Sequence, residues 1–484
     1  MSETLKQKTA KGLFWGVMNS GTTQVLNLVF GICLARLLNE ADYGIVGVLT
    51  IFTTIAGNLQ SAGFTQGLIN LKNPTHRDYN SVFSFNILAS VTMYVVLFFC
   101  APLIAIFFHQ PCLVNVSRVL FLTFAISSLG IAHGGYMTKN MMNREMAIQG
   151  VIALVCSGIV GISLAFWDKA YWALVWQQIT YISVVNICRY YFVKDWRPRL
   201  TFDFGPVREM FPFSVKILVT KIIDTVSSNI LTVIFGRLFT INQVGNYSQA
   251  YKWDTMANSL VTNTIGQIAQ AVFVEADTQD GNEGRQLRVY RKMMHFTCFL
   301  SMPLMFGLAL VSKEFILITI GEGWINCVPL LQALCVSGAF VPVYTMYQNL
   351  AISRGRSDLY MCLNICQIVL QIAVILCFYR LGIFTMVCAY SAFLIAWLLP
   401  WHIATGRLIG YRLQWFLKDT LPFALSALAV MAVTHLATSF IANNVVLLLA
   451  RIALAAVLYY IVMRLAGVAI LKECTEFVKR KIRK

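Results

Sequence analysis

The chain has 484 residues, of which 58% are hydrophobic and only 12% are charged, and its mean hydropathy is +0.68. A soluble domain carries about 25% charged residues, so this composition excludes an ordinary soluble protein. The net charge of +17 is typical of a membrane protein whose excess Lys and Arg residues lie in cytoplasmic loops beside anionic lipid headgroups. It requires no nucleic-acid partner, and none is expected.

Fourteen apolar segments follow one another along the chain. Each is long enough to cross a hydrocarbon core of about 30 Å, which needs roughly 20 residues. The first lacks a small-residue cleavage site, so we expect a resident helix and no cleaved signal peptide. These predicted spans 1 to 14 begin near residues 13, 44, 81, 117, 148, 172, 210, 247, 292, 328, 359, 382, 420 and 446. The sequence therefore predicts an all-α, polytopic membrane protein with both termini on one side.

Basic residues mark the side of the membrane on which each loop lies. The opposite loops contain few, with Arg118, Lys169 and Arg380 as the clear cases. The loops on the side of the termini each contain Lys or Arg, for example Lys8, Lys72, Arg77, Lys139, Arg197, Arg208, Arg288, Arg354, Arg412 and Lys481. By the positive-inside rule, both termini are predicted to be cytoplasmic.

Catalytic and metal-binding motifs are not found in the sequence. It contains neither a phosphate-binding GxxxxGK[ST] loop nor HExxH, and the longest loops, near 194–209 and 275–291, are too short for a catalytic domain. The 13 cysteines fall mostly inside spans, which favours packing over metal binding. We expect no enzyme activity, no metal and no cofactor. Channel, transporter and intramembrane enzyme remain as classes, and transport is favoured.

The chain also resembles itself. Residues 29–70 align with 230–271 without gaps, with these identities: Arg36/Arg237, Leu37/Leu238, Gly44/Gly245, Thr54/Thr255, Ala56/Ala257, Leu59/Leu260 and Gln66/Gln267. The copies are six spans apart, which predicts a parallel repeat. The expected organisation is an N-terminal lobe at 1–193, a linker at 194–209, a C-terminal lobe at 210–404, spans 13 and 14 at 420–467, and a basic tail at 468–484.

Polar residues at helical spacing form one stripe on each of spans 1, 2, 7 and 8. On lipid-facing surfaces these stripes would be costly, so we expect them to line a central, cationic cavity for an anionic substrate such as a diphosphate. The candidate binding residues are Lys216, Lys221, Lys252, Arg36, Arg237, Asn19, Asn58 and Asn263. Asp224 is a candidate for ion coupling or for an ion pair with Lys221. Alternatively, the small polar residues only pack helices, and the two arginines only snorkel.

Several segments resemble one known family. They are ARLLNEADYGIVGVLTIF, LQSAGFTQGLI, RLFTINQVGNYSQAYKWDTMANSL, IGEGWINCVPLLQAL and RGRSDLYMCLNI. They are similar to the polysaccharide transporters, the O-antigen and exopolysaccharide flippases, of the multidrug/oligosaccharidyl-lipid/polysaccharide exporter superfamily. The resemblance runs from about residue 8 to 440. It implies alternating-access export of an undecaprenyl-diphosphate-linked oligosaccharide across the bacterial inner membrane. The implied partners are that glycan, membrane lipids, and a glycan polymerase with its export machinery.

The sequence leaves two other functions open. A multidrug or small-solute antiporter of the same superfamily would favour an acidic cavity for cationic drugs. A membrane glycan polymerase or ligase would require a large outer loop with catalytic groups. The positively charged residues inside the spans argue against the antiporter. The short outer loops argue against the polymerase or ligase. A lipid scramblase or a structural role is a further alternative.

Overall fold

The computed structural model describes residues 5–61, 67–69, 71, 74–201, 203–278, 283–468 and 471. In these ranges the longer elements are all α-helices, and no β-strand occurs. The first eight helices are α1 (Leu5–Leu37), α2 (Glu40–Ser61), α3 (His76–Phe108), α4 (Leu113–Leu120), α5 (Leu122–Lys139), α6 (Asn143–Phe166), α7 (Trp172–Phe192) and α8 (Gly205–Leu238). The predicted all-α class is confirmed.

Eight further helices follow in the described part of the chain. They are α9 (Ile241–Thr278), α10 (Glu283–Thr319), α11 (Cys327–Gly338), α12 (Val341–Ser353), α13 (Ser357–Cys377), α14 (Ile383–Gly406), α15 (Leu413–Thr438) and α16 (Asn444–Leu465). The start of every predicted span falls inside one of the sixteen helices or within one residue of it. The sequence pattern therefore located the helices correctly along the chain.

Two of the predicted spans are interrupted. Span 4 is divided between α4 and α5 at Phe121, and span 10 is divided between α11 and α12 at Ala339 and Phe340. Among the described residues, nine segments are long and apolar enough to cross a membrane, with each interrupted pair counted as one segment. The remaining segments, α1, α2, α7, α8 and α9, are shorter in their described part or more polar. The count of fourteen crossings stays a prediction.

The chain forms two compact units, unit 1 at Met1–Gly245 and unit 2 at Asn246–Lys484. In unit 1, α6 packs against α1 and α7, and α8 packs against α2 and α3. One core of this unit surrounds Trp196, with Leu68, Tyr79, Met137 and Met210 among its buried members. The lobe boundaries predicted from the sequence stay a prediction.

Unit 2 is built around α10, which packs against α11, α15 and α16. Arg291 on α10 forms two 2.7 Å hydrogen bonds with the carboxylate of Asp419 on α15. Near the other end of α10, Glu314 forms a 2.8 Å ion pair with Arg451 on α16, and both side chains are buried. The last two helices, which the sequence indicated only as an addition to a twelve-helix core, are thus attached to unit 2 by ionic contacts.

Candidate functional site

The middle of α8 forms the first part of the candidate site. A proline in its first turn favours the start of this helix, because proline lacks the N–H that would be unpaired there. Near that end, Met210 contacts Gly67, and near the other end Gly236 lies against Val48 and Phe108. Both ends of α8 are therefore held against other segments of unit 1.

Between these contacts, one face of α8 is polar. Lys221 and Ser228 are exposed and Asp224 is half-buried, at spacings of three and four residues that place them on one side of the helix. Ser228 donates a 2.8 Å hydrogen bond to the carbonyl oxygen of Asp224, and Thr225 donates one of 2.8 Å to that of Lys221. These hydroxyl groups are thus satisfied by the helix itself.

The ammonium group of Lys221 belongs to an exposed side chain. In the part of the chain that the structure describes, no ion pair joins Lys221 to Asp224. The roles predicted for both residues stay predictions. The side chains of Lys216, Asn19 and Asn58 lie outside the described residues, although the backbone of each belongs to a helix.

Two predicted binding residues belong to unit 2. Lys252 on α9 is half-buried, and its Nζ lies 5.6 Å from the centre of the Trp253 ring. Asn263 is exposed about three turns further along the same helix. Their predicted roles in substrate binding stay predictions.

The two arginines of the repeat lie at helix ends, as the sequence indicated. Arg36 is exposed in the last turn of α1. Arg237, also exposed, donates a 2.7 Å hydrogen bond from Nη1 to the carbonyl oxygen of Phe107. The same Nη1 atom lies 2.7 Å from Nδ1 of His109, which ends α3 in a left-handed backbone conformation. A cation at a helix C-terminus stabilises the unpaired carbonyl groups and the helix dipole. This contact gives Arg237 a structural role, and its role in substrate binding stays a prediction.

The glycine crossing, formed by Gly44, Gly245, Glu40 and Ile241, joins the two copies of the repeat inside unit 1. A Cβ added at Gly44 would overlap the carbonyl oxygen of Ile241, and one added at Gly245 would overlap that of Glu40. Residues 40 and 241 are equivalent in the repeat, as are 44 and 245. Such reciprocal contacts are the pattern that a two-fold axis produces. The crossing therefore supports the internal duplication.

The helix starts at this crossing use similar caps. Asn39 and Asp42 exchange hydrogen bonds of 3.1 and 3.0 Å between backbone N–H groups and side-chain oxygens. At the equivalent positions, the backbone N–H and hydroxyl of Thr240 donate to Oε1 of Gln243 at 3.2 and 3.1 Å. Caps of this type satisfy free N–H groups at a helix N-terminus. The two copies thus begin their second helix in the same way.

A buried acid in α9 was not identified from the sequence. Asp254 is 7% exposed, and Asn258 donates a long 3.4 Å hydrogen bond to its Oδ2. Its Oδ1 has no hydrogen-bond partner among the described residues. A Cβ added at Gly338, the last residue of α11, would lie 2.5 Å from that atom. The signal that could have identified Asp254 was an ionisable residue inside a predicted span.

The described chain consists mainly of long, partly polar helices, and two of its predicted spans are interrupted. Its fold is similar to that of solved membrane transporters. One solved structure with this fold is that of the lipid II flippase MurJ in an inward closed conformation, with a TM-score of 0.73. The match covers 93% of this chain and 99% of MurJ at 14% sequence identity. This similarity shows the fold, and the chain is a multi-pass membrane protein.

Sequence comparison identifies the family. Residues 33–329 match the model of the polysaccharide biosynthesis protein family, and the chain belongs to that family. Its relatives include the lipopolysaccharide biosynthesis protein WzxC of Escherichia coli strain K12, 24% identical over 74% of this chain and 72% of WzxC. The teichuronic acid biosynthesis protein TuaB of Bacillus subtilis strain 168 is 24% identical over 88% of this chain and 85% of TuaB. The succinoglycan biosynthesis transport protein ExoT of Rhizobium meliloti strain 1021 is 23% identical over 71% and 69%. The resemblance found in the sequence is confirmed.

Proposed function

We propose that the protein is a flippase for a lipid-linked oligosaccharide in the synthesis of a cell-surface polysaccharide. The substrate is an oligosaccharide joined through a diphosphate to undecaprenol, and it crosses the bacterial inner membrane. The family supports this proposal, since WzxC and ExoT are named for lipopolysaccharide biosynthesis and for succinoglycan transport. The lipid II flippase MurJ, named for a lipid-linked substrate, has a similar fold.

The observation that carries the proposal is the exposed Lys221 in the middle of α8. A cationic side chain on a membrane helix is costly unless it meets water, protein or a ligand of opposite charge. A diphosphate offers several anionic oxygens for charge-assisted hydrogen bonds with such a group. Lys221, with Lys216 and Lys252, would hold this part of the substrate, while amide side chains such as Asn263 meet the sugars.

Alternating access is the mechanism that we propose for translocation. The glycine crossing supports it, because backbone packing at the turn between α1 and α2 gives that end of the helices a contact that can close. Opening would separate Gly44 from Ile241 and Gly245 from Glu40. The substrate can shift such an equilibrium only by binding the two states with different affinities.

The remaining features of the proposal follow from the basic loops and from the absence of catalytic motifs. Both termini are cytoplasmic, and the crossing at residues 39–43 lies on the outer side. The protein is a transporter and not an enzyme, and it delivers its glycan to a polymerase and export machinery. Asp224 either couples transport to an ion or balances the charge of the lysines on its helix.

Binding of lipid carriers tests the proposed site. Native mass spectrometry of the purified protein would compare undecaprenyl diphosphate, undecaprenyl monophosphate and undecaprenol. We expect affinity to fall in that order, because each step removes anionic oxygens from the lysine site. Lys216→Gln/Lys221→Gln should weaken diphosphate binding at least about tenfold, the equivalent of about 1.4 kcal/mol.

Lys169→Gln is the matched control, because it removes one positive charge from the exposed turn between α6 and α7. It should bind undecaprenyl diphosphate like the wild type. Equal affinity for the diphosphate and the alcohol, or unchanged binding by the double variant, would refute the lysine site. Transport of cationic dyes without lipid binding would favour the multidrug antiporter instead.

A further inference from the structure

Asp254 is a buried carboxylate to which the proposed binding of an anionic substrate assigns no role. It lies in α9, which we treat as a membrane span, and it is 7% exposed. The amide of Asn258 reaches only its Oδ2, at 3.4 Å, and Oδ1 is unpaired among the described residues. An acid inside a membrane segment is by default a functional hypothesis, because its burial is costly.

No cationic side chain compensates this carboxylate in the described part of the protein. The titratable groups that face it are Tyr247 and Tyr251 on its own helix, Cys335 on α11 and Tyr390 on α14. Tyrosine and cysteine are ordinarily neutral near pH 7. An ionised Asp254 would therefore be a buried negative charge that a single amide stabilises.

The carboxylate also lies against an interruption of a helix. Gly338 ends α11, and α12 begins at Val341 with Pro342 in its first turn. The close approach of Asp254 and Asn258 requires the missing side chain of Gly338, since a Cβ there would lie 2.5 Å from Oδ1 of Asp254 and 2.8 Å from Nδ2 of Asn258. Interrupted membrane helices are the segments that transporters use around bound ions and substrates.

The same interruption is linked to α14 by hydroxyl groups. Ser337 donates a 3.1 Å hydrogen bond to the hydroxyl of Ser391, which in turn donates one of 2.9 Å to the carbonyl oxygen of Ala333. The hydroxyl of Tyr344 on α12 donates to the carbonyl oxygen of Leu394. A change of charge at Asp254 would thus act on a segment that these three hydrogen bonds join to α14.

From this geometry we propose that Asp254 is a site of reversible proton binding in unit 2, and that its charge controls the interruption between α11 and α12. The carboxylate takes one proton from water to become a neutral acid that can donate from Oδ1, and it returns that proton on release. A proton fits better than a metal ion, which requires several oxygen ligands. The described residues contain no group of three His, Cys, Asp or Glu that could bind one.

Proton exchange at Asp254 is independent of the proposed function. The use of that exchange to drive transport rests on the proposed function. If the protein is a flippase, an imposed proton gradient would bias unit 2 between two arrangements of α11 and α12. The two claims need separate measurements.

Infrared difference spectroscopy of the purified protein tests the chemical claim. Spectra across a pH titration should contain the carbonyl band of a protonated, buried carboxyl group, and Asp254→Asn should lose it. Asp358→Asn is the control, because this carboxylate is exposed and paired with Arg356; the band should remain in this variant. Persistence of the full band in Asp254→Asn, or a wild-type spectrum with no titrating buried carboxyl, would overturn the proposal.

Asn258→Leu is a second variant that keeps the acid and removes the amide. Because the amide donor favours the ionised form, its loss should move the midpoint of the titration to higher pH. This variant keeps the test decisive if Asp254→Asn does not fold, and an unchanged midpoint would contradict the assignment.

The coupling claim is tested in proteoliposomes with a fluorescent undecaprenyl-diphosphate-linked sugar as the probe. A pH gradient should accelerate its translocation by the wild type and not by Asp254→Asn. An equal acceleration of both would rule out Asp254 as the coupling site. If the wild type moves no probe, the proposed function fails, while the infrared titration still decides whether Asp254 exchanges a proton.

Discussion

The two interrupted spans, the fourth and the tenth, are six predicted spans apart, as are the two aligned copies of the repeat, but they differ in their chemistry. In unit 1 the interruption at Phe121 is apolar, since this buried ring stacks on Phe124 at 5.5 Å and lies 6.2 Å from Phe52. In unit 2 the interruption adjoins Asp254 and Asn258. Both spans are divided, and among the described residues only the interruption in unit 2 adjoins a buried acid.

The alignment of the repeat shows where this difference arises. An offset of 201 residues pairs Thr53 with Asp254 and Gly57 with Asn258. Thr53 satisfies its hydroxyl group within α2 by donating a 2.9 Å hydrogen bond to the carbonyl oxygen of Thr50. The two copies therefore differ at this position, with a locally satisfied hydroxyl group in unit 1 and a buried carboxylate in unit 2. This difference between the units can be tested.

The largest effect is expected at the buried ion pair of unit 2. Arg451→Leu leaves Glu314 buried without its cation, which should destabilise the protein by about 3–5 kcal/mol. Glu314→Leu/Arg451→Leu should recover most of this loss, because neither charge remains. Denaturant unfolding in detergent micelles measures both. A double variant no more stable than Arg451→Leu would indicate that the arginine acts through its other contacts.

The glycine crossing should respond equally in both copies of the repeat. Gly44→Ala and Gly245→Ala each introduce a methyl group against a backbone carbonyl group, and each should lower stability by about 1–3 kcal/mol. Gly57→Ala is the control, since nothing lies within 4 Å of an added Cβ there. It should be neutral or stabilising, by up to about 1 kcal/mol. Strongly unequal effects at 44 and 245 would argue against reciprocal packing.

Replacing the acid of unit 2 by its counterpart in unit 1 should have a smaller effect of opposite sign. Asp254→Thr removes a buried carboxylate oxygen with no partner, so the variant should be about 1–2 kcal/mol more stable than the wild type at neutral pH. Thr53→Ser keeps the local hydroxyl in unit 1 and should change stability little. Loss of stability in Asp254→Thr would indicate that the carboxylate supports the packing.

The smallest effect is expected at the exposed pair of Arg77 and Asp203, 2.5 Å apart. The hydrogen bond from Arg77 lowers the pKa of Asp203 below its ordinary value. The stability that this pair adds is therefore present above the pKa of the unfolded chain and is lost as pH falls through the lower folded value. Asp203→Asn should abolish this acid-dependent part, which salt also weakens. If Asp203→Asn had the same pH dependence of stability as the wild type, the pair of Arg77 and Asp203 would not be its source.

Much of the fold could be predicted from the sequence, because long apolar segments separated by basic loops can be identified without any knowledge of their contacts. The interruption of span 4 at Phe121 could not, since neither glycine nor proline marks it. Gly338 and Pro342 did mark the interruption of span 10, but glycine and proline also occur in continuous membrane helices.

The site was predicted less completely than the fold. The glycine pair 44 and 245 was identified through the repeat, although its reciprocal contact with backbone carbonyl groups depends on how the helices cross. Glu314 and Arg451 were both visible as charges in apolar segments. Their pairing required a contact between helices far apart in the chain, which a single sequence does not contain. Asp254 was not identified, because its importance depends on its burial and on the lack of a partner for Oδ1 among the described residues. The sequence alone shows neither property.

The central claim is that the protein moves a lipid-linked oligosaccharide by means of the lysines on α8. Its most direct test is reconstitution into proteoliposomes, with an undecaprenyl-diphosphate-linked fluorescent sugar in one leaflet and a membrane-impermeant quencher outside. We predict translocation by the wild type and by Lys169→Gln, and little above empty liposomes by folded Lys216→Gln/Lys221→Gln. Translocation by the double variant at the wild-type rate, or none by the wild type, would contradict the account.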